Sequence, residues 1–271
     1  MVQGDGSTVP LFYNTGMMYN MDMDRLKFIK ARETVMNSEH GKDNSEPKQI
    51  GTLGERTLHA VIKHYIEPDD RKHEVKIGSF YADIVRGGSI VEIQTRAFYA
   101  LRKKLSHFLK NFPVTIVYPL ANTKWLLWIN EKTGEVTKRR KSPRQGSIYD
   151  AAHELYGIKP LLGHSNLSLQ LVFVDVEEYR YLDGWSKNKK RGLSRCDRHP
   201  SDIIEEAWLR SPADYMQFIP DDLPEQFTTK DLKQSAKIHL STAQTTLNIL
   251  HHLGTVRRVG KQGNLYIYER G

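Results

Sequence analysis

The stretch HEVKIGSFYADIVRGGSIVEIQT, residues 73–95, decides the fold of the central part of the chain. Short apolar runs bounded by turn residues are typical of β-strands. We predict three strands here, over His73–Tyr81, Ala82–Arg86 and Ser89–Thr95. The pair Gly87-Gly88 stands between the last two, as in a tight hairpin turn. The stretch therefore predicts a meander of three strands.

A helix precedes this meander, and a helix and a buried strand follow it. Apolar residues recur at helical spacing over Gly54–Ile66, and Pro68 prevents the helix from continuing. Phe98–Leu109 is predicted to be an amphipathic helix, with leucines on one face and basic residues on the other. The continuous apolar run Val114–Leu120 is typical of a strand inside a sheet that is covered on both faces. This order predicts an α/β fold with a mixed sheet flanked by helices.

The remaining segments carry weaker signals. We predict a helix from Met21 behind a mobile arm, a polar loop over 37–48, a hairpin of Lys124–Ile129 with Glu135–Arg139, and a long strand at Leu169–Tyr181. The predicted domain organisation is a flexible arm and helix at 1–48, a core with a basic extension at 49–200, a linker at 201–226 and a small unit at 227–271.

Composition predicts a globular protein with a polyanionic partner. The formal net charge is +8, and cationic side chains gain free energy by releasing the counterions condensed on phosphate. The single cysteine, Cys196, excludes an intramolecular disulfide and a cysteine-based zinc site. No apolar run reaches the roughly 18 residues of a membrane span, and the N-terminal residues lack the pattern of a secretory signal. We therefore expect a cytoplasmic protein without membrane contact.

Two carboxylates and an amide occupy neighbouring positions of the predicted hairpin. Eight residues separate Asp83 from Glu92, and Gln94 follows two positions later. Because side chains alternate along a strand, Glu92 and Gln94 share one face, and the carbonyl oxygen of Ile93 is available as a further ligand. The hairpin brings Asp83 opposite the end of the strand that carries Glu92. Mg²⁺ prefers a few carboxylates plus water and phosphate oxygens, and these residues offer oxygen atoms of that kind, although an Asp and a Glu at this spacing are common in soluble proteins.

These residues resemble the PD-(D/E)xK nuclease superfamily. The resemblance lies in Asp83 and in Glu92-Ile93-Gln94, on two antiparallel strands behind a helix that bears Glu55, and it covers about Gly51 to Leu120. It implies a restriction-endonuclease-like fold and hydrolysis of DNA phosphodiester bonds with Mg²⁺, or with Mn²⁺. The implied catalytic residues are Glu55, Asp83, Glu92 and Gln94, and the implied metal ligands are Asp83, Glu92 and Ile93.

Two positions depart from the superfamily pattern. Gln94 stands where the family usually has lysine, and Ala82 stands where it usually has proline. Glutamine can orient a water molecule by hydrogen bonding, but it has no pKa near 7. A subset of restriction endonucleases similarly has Glu-x-Gln, which keeps the nuclease interpretation open. The alternatives are a non-catalytic DNA-binding protein or regulator on a degenerate nuclease fold, and an RNA nuclease. Many members of the superfamily act as dimers, so the resemblance also implies a homodimer.

The C-terminal segment, residues 227–269, looks like a winged helix-turn-helix. Thr228-Thr229 is predicted to cap a short helix, and Ser241 to cap a second helix that ends at Leu253. Gly254 would end that helix in the left-handed conformation. Two strands, Val256–Val259 and Leu265–Tyr268, would then flank a wing. Modules of this type bind DNA through the second helix, although many mediate protein contacts instead.

Three groups of residues are the predicted DNA contacts. Polar residues early in the second helix would meet base edges, and basic residues of the wing and of two internal basic runs would meet phosphates. Charge runs are usually solvated loops, but two of them in a protein with an acidic metal site favour a clamp on the DNA backbone. The predicted base contacts are Thr242, Gln244, Thr245 and Asn248; the wing contacts are Arg257, Arg258 and Lys261; the basic runs contain Lys138, Arg139 and Arg140, then Lys187, Lys189, Lys190 and Arg191.

The histidines of the core are interpreted as structural. His73 begins a strand, where a hydrogen-bonded histidine is more common than a metal ligand. His59 and His64 lie five residues apart on one predicted helix, a spacing that does not place two ligands on one face.

Overall fold

The computed structural model describes residues 15–40, 56–130, 133–185 and 191–271. Two sets of predicted site residues lie outside these ranges. They are Glu55 in the first predicted helix and Lys187, Lys189 and Lys190 in the second basic run.

The predicted meander is present, with one boundary moved. Strands β1 (His73–Ile77), β2 (Phe80–Arg86) and β3 (Ser89–Ile93) pair in sequence and antiparallel. The first turn lies at Gly78 and not after residue 81 as predicted. Gly78 has a φ of +61°, a conformation that the turn requires and that glycine adopts readily. A Cβ at this position would also lie only 2.8 Å from the ring of His107. Glycine is the residue that meets both conditions.

The sheet continues from β3 through long strands. β3 pairs in parallel with β4 (Val114–Ile129), β4 pairs in parallel with β6 (Leu167–Trp185), and β6 pairs antiparallel with β7 (Arg191–Leu209). A short strand, β5 (Arg140–Lys141), pairs with β4. The order is β1-β2-β3-β4-β6-β7, with β5 beside β4. The predicted α/β fold with a mixed sheet is confirmed.

Helices cover both faces of this sheet. One buried cluster joins Phe28 of α1 (Thr15–His40) and Ile62 of α2 (Arg56–Ile66) to Val172 of β6. A second cluster includes residues of α3 (Arg102–Phe108) and α4 (Ala152–Gly157). Five 3-10 helices complete the described core, at Asp70–Lys72, Phe98–Leu101, Ile148–Ala151, Lys159–Leu161 and Pro212–Phe218. No helix within the described ranges is long and apolar enough to cross a membrane.

Strand β7 corrects the predicted organisation of the second half. We predicted a basic loop up to residue 200 and a linker over 201–226, whereas β7 is continuous through Leu209 and a 3-10 helix follows at Pro212–Phe218. Pro200 and the many charged residues disguise the strand in the sequence. Both are tolerated because β7 lies at the edge of the sheet, where one side of the backbone needs no partner.

Other boundaries also shift. Residues 135–139 form one isolated bridge, Ile129 with Val136, in place of a full strand. Helix α1 already begins at Thr15 and extends to His40, into the segments predicted to be an arm and a loop. Phe28, Ala31 and Val35 of α1 are buried, and this packing stabilises the helix.

The C-terminal unit contains two helices and three strands. They are β8 (Gln226–Thr228), α5 (Thr229–Ser235), α6 (Leu240–His252), β9 (Val256–Gln262) and β10 (Leu265–Arg270), with the strand order β8-β10-β9. Thr228 caps α5 as predicted, in a reciprocal capping box with Asp231. α6 begins after His239, so Ser241 lies inside the helix and is not its cap. Assignment of this unit to the winged-helix class stays a prediction.

The C-terminal unit shares a core with the sheet domain. Leu247 and Leu250 of α6 belong to the same buried cluster as Leu155 of α4 and Leu171 of β6. Burial of this apolar surface joins the two parts, since each Å² removed from water contributes about 25 cal/mol.

Candidate active site

The structure brings Asp83 and Glu92 together across β2 and β3. The Asp83 side chain accepts a hydrogen bond from the Ile93 N–H, with 2.7 Å between N and Oδ2. The Asp83 N–H in turn donates to Oε1 of Glu92 at 3.4 Å. The Glu92 side chain is 1% exposed and that of Asp83 is 15% exposed. Two acidic groups therefore lie side by side in a largely buried site.

Burial and mutual repulsion shift the ionisation of this pair. Burial raises the pKa of Glu92 to about 7, and the negative charge of Asp83 acts in the same direction, against Lys104. Burial also acts to raise the pKa of Asp83, but His59, the Ile93 N–H and Lys104 outweigh it, so this pKa lies below its usual value. Asp83 is therefore the ionised partner near neutral pH, while Glu92 exchanges a proton there.

Two further side chains complete the site, and the sequence analysis missed both. Lys104, on α3, places its Nζ 2.5 Å from Oε2 of Glu92. His59, on α2, places its Nε2 3.5 Å from Oδ2 of Asp83. The usable signal for Lys104 was its position early in the helix that follows β3. A crossover helix between parallel strands packs against the sheet, so its first turns can lie over the end of the preceding strand.

The hydrogen bonds of Gln94 go to backbone carbonyl groups and not to Asp83 or Glu92. Its Nε2 donates to the carbonyl oxygen of Arg96, and its backbone N–H donates to that of Val117 at 2.9 Å. Strand β3 ends at Ile93, before Gln94. Lys104 is thus the side chain that bonds Glu92, where the sequence analysis predicted Gln94 as the third member of the site.

The described part of the first basic run is exposed but partly engaged. Lys138, Arg139 and Arg140 are all exposed. The guanidinium of Arg139 lies 4.0 Å from the ring centre of Trp125, and its Nε is 3.1 Å from a carboxylate oxygen of Glu177. Lys138 and Arg140 are therefore better placed than Arg139 to meet a phosphate.

The second basic run is a strand where it is described. Arg191 belongs to β7 and pairs with Trp185 of β6. Further along, the Nε of Arg198 is 3.1 Å from Oε2 of Glu178, whose side chain is 1% exposed. Arg198 thus neutralises a buried acid.

The predicted base contacts on α6 face the sheet domain as much as solvent. Thr242 and Thr245 line a cleft of about 240 Å³. Asn248 accepts a hydrogen bond from Nζ of Lys159 at 2.9 Å, so its side chain is engaged within the chain. Gln244 is the exposed member of the predicted set. The remaining residues of the cleft are Arg144, Tyr149, Asp150, His153 and Ser241.

The strands β9 and β10 carry a basic and aromatic patch. The guanidinium of Arg258 lies 4.0 Å from the ring centre of Tyr266, and Nζ of Lys261 lies 4.9 Å from it. All three residues are surface-accessible. Arg257 instead pairs with Glu269 at 2.5 Å, which lowers the pKa of that acid. We call Arg258, Lys261 and Tyr266 the β9–β10 patch.

Comparison with known proteins gives a family match and a relative. A family model described as "Domain of unknown function (DUF8091)" matches residues 56–210, more than half of the chain. This range runs from α2 to the end of β7 and contains His59, Asp83, Glu92 and Lys104. An uncharacterized protein of Treponema pallidum (strain Nichols) is 29% identical over 223 residues, covering 82% of this chain and 87% of the relative. No solved structure matches the chain.

Proposed function

The chain belongs to the DUF8091 family, and we propose that it is a metal-dependent DNA endonuclease that hydrolyses phosphodiester bonds. The observation that carries this proposal is the buried pair of Asp83 and Glu92, with Lys104 bonded to Glu92. Buried charge is costly unless it is compensated, and buried acids with shifted pKa values cluster at binding and catalytic sites, which supports the proposal.

The donor set fits a divalent cation. Asp83 and Glu92 supply hard oxygen ligands, and burial together with the negative charge of Asp83 raises the pKa of Glu92. A divalent cation removes this repulsion as effectively as a proton does. Asp83, Glu92 and the carbonyl oxygen of Ile93 would hold Mg²⁺ or Mn²⁺. When bound, the ion would polarise the phosphoryl group and favour ionisation of water near neutral pH.

The protein's own groups supply the remaining functions of the site. Lys104 holds the carboxylate of Glu92 and provides a positive charge, which stabilises the negative charge that develops on the phosphoryl oxygens. It can fill the role that lysine has in the third position of the superfamily motif. His59, beside Asp83, orients that carboxylate and can hold a proton.

The order of elements and the surface charge support the same proposal. α2, β1, β2, β3, α3 and β4 follow one another as in the superfamily that the motif resembles, with β3 and β4 parallel. A net charge of +8 and the exposed Lys138 and Arg140 suit a DNA backbone. The β9–β10 patch offers basic and stacking groups to the same ligand. We propose DNA as the partner, a homodimer as the assembly and the cytoplasm as the location.

One observation favours a second candidate, a non-catalytic DNA-binding protein. Nζ of Lys104 already satisfies Glu92, and the Gln94 amide is turned towards Arg96, so the cluster could be a structural ion pair in a retired site. The two candidates differ in whether the pair binds a metal that supports cleavage.

The test is cleavage of supercoiled plasmid, branched DNA and RNA with Mg²⁺ or Mn²⁺. The variants are Asp83→Asn, Glu92→Gln and Lys104→Met, and Lys103→Gln is the matched control because Lys103 is an exposed lysine on the same helix. The proposal expects DNA cleavage that the three variants lose and the control keeps, while all four bind DNA. Binding without metal-dependent cleavage would support the second candidate, and cleavage of RNA alone would replace DNA as the substrate.

A further inference from the structure

Three side chains with metal-ligating atoms meet away from the Asp83 pair. His64 lies near the end of α2, Asp70 begins the 3-10 helix that follows, and His73 begins β1. One ligand atom from each lies within 4.8 Å of the others. Nδ1 of His64 is 3.4 Å from Oδ1 of Asp70, and Nδ1 of His73 is 3.3 Å from the same oxygen.

The hydrogen bond on the far side of His73 fixes which nitrogen faces the cluster. Nε2 of His73 is 2.8 Å from the carbonyl oxygen of Glu67. A carbonyl oxygen only accepts, so Nε2 carries the hydrogen and donates it. In the neutral ring, Nδ1 then presents a lone pair to the carboxylate of Asp70, which is also an acceptor. Two acceptors 3.3 Å apart are stabilised by a cation bound between them.

The spacing suits a tetrahedral metal. Zinc binds histidine nitrogen and carboxylate oxygen at about 2.0–2.1 Å, and tetrahedral geometry then separates neighbouring ligand atoms by about 3.3–3.4 Å. The separations of the two histidine nitrogens from Oδ1 of Asp70, 3.4 and 3.3 Å, agree with this value, and the ligand atoms all lie within 4.8 Å of one another. A histidine ligand that donates its other N–H to a backbone carbonyl is also the usual outer arrangement of such sites.

We propose that His64, Asp70 and His73 bind one zinc ion, or a similar divalent transition metal. The imidazole ligands favour zinc over Mg²⁺, which separates this centre chemically from the all-oxygen site of Asp83 and Glu92. Three protein ligands leave a fourth position for water or an external ligand. The Asp70 side chain is 75% exposed, so an ion can enter from solvent.

The position of this centre gives it a structural consequence. The ion links α2 to β1 across the intervening turn, and α2 also carries His59, which contacts Asp83. His59 and His64 thus contact different acids, Asp83 and Asp70, from one helix. Binding would stabilise the folded state by the free energy of metal uptake.

The test is zinc titration of the metal-free full chain by calorimetry, with Co²⁺ as a spectroscopic probe. Asp70→Asn is the principal variant, since Asp70 is exposed and asparagine has the same shape. His73→Gln is the second. His252→Gln, an exposed histidine on α6, is the matched control, and Asp83→Asn tests the other centre. We expect one equivalent of zinc, a tetrahedral Co²⁺ spectrum, and an affinity at least about tenfold weaker in the first two variants alone.

Two results would overturn the proposal. One is wild-type protein that takes up no zinc, which would leave the cluster as polar side chains in contact without a metal. The other is zinc binding that Asp83→Asn abolishes and Asp70→Asn preserves, which would move the ion to the acidic pair. Neither result depends on nuclease activity, so this proposal and the proposed function fail separately.

Discussion

Replacing Glu92 by glutamine should stabilise the protein, and the gain should grow as the pH rises from about 4.5 to about 7. The Glu92 side chain is buried beside Asp83, so its ionised form is unfavourable in the folded state. Glutamine has the same shape and stays neutral. The variant therefore mimics the protonated acid at every pH, and it removes the unfavourable charge that wild type must carry as the pH rises.

The magnitude follows from the pKa. The pKa of Glu92 rises from 4.5 in the unfolded chain to about 7 in the folded protein, and each pKa unit corresponds to about 1.4 kcal/mol. Because the folded state holds the proton more tightly, stability is lost as the pH rises from about 4.5 to about 7, and the loss is constant above that. Glu92→Gln should thus gain about 1 kcal/mol over wild type at pH 5 and about 3 kcal/mol at pH 8.

The assay is urea denaturation at pH 5 and pH 8 in the presence of a chelator. Glu225→Gln is the control, since Glu225 is an exposed glutamate whose replacement should change stability little at either pH. Adding Mg²⁺ at pH 8 should stabilise wild type more than Glu92→Gln, because the variant lacks one of the proposed ligands. If the free energy of unfolding of Glu92→Gln at pH 8 is equal to or lower than that of wild type, the reasoning is refuted.

The other predictions concern catalysis, DNA binding and the core. Lys104→Met should lower the cleavage rate by about 10²-fold or more with little change in DNA affinity, whereas Lys103→Gln should cleave normally in the same plasmid assay. Arg258→Ala should weaken DNA binding on every sequence and lower the salt slope by about 1, measured by fluorescence anisotropy at several salt concentrations. Arg257→Ala should do so less, since its guanidinium is already paired. Glu178→Ala should lower the free energy of unfolding by about 3–5 kcal/mol, measured in urea, because it leaves two partly buried arginines without their acid; an unchanged midpoint would contradict this.

Local pattern was sufficient to predict the acidic pair. The double-glycine turn sets the register of β2 and β3, and this register alone places Asp83 next to Glu92. The local sequence pattern could not predict the contact of Lys104 with Glu92, because Lys104 lies on a separate helix, α3, that packs on the sheet. Contacts of this kind depend on tertiary distances, which spacing along the chain does not encode.

The same limit explains why the sequence analysis found neither strand β7 nor the contacts of Asp70 with His64 and His73. β7 contains a proline and many charges, and its identity as a strand comes from its position at the edge, beside β6. The sequence analysis judged His64 only by its spacing from His59 on one helix, interpreted His73 as structural, and did not consider Asp70. The partners of His64 come instead from the next turn and the next strand. Spacing within a single element does not reveal a cluster of side chains that come from three elements.

The common core beneath α4 and α6 fixes the distance between the C-terminal unit and the sheet domain. Because Leu155, Leu247 and Leu250 lie in one apolar cluster, the C-terminal unit is packed on the sheet domain and is not tethered to it by a loose segment. A DNA duplex bound to the β9–β10 patch would therefore meet the acidic pair at a fixed distance along the axis of the duplex. On the proposed function, cleavage positions mapped from a bound DNA end should lie at a constant distance from that end. Truncating the chain after β7 would expose apolar surface of the shared core and would also remove the proposed DNA-binding patch.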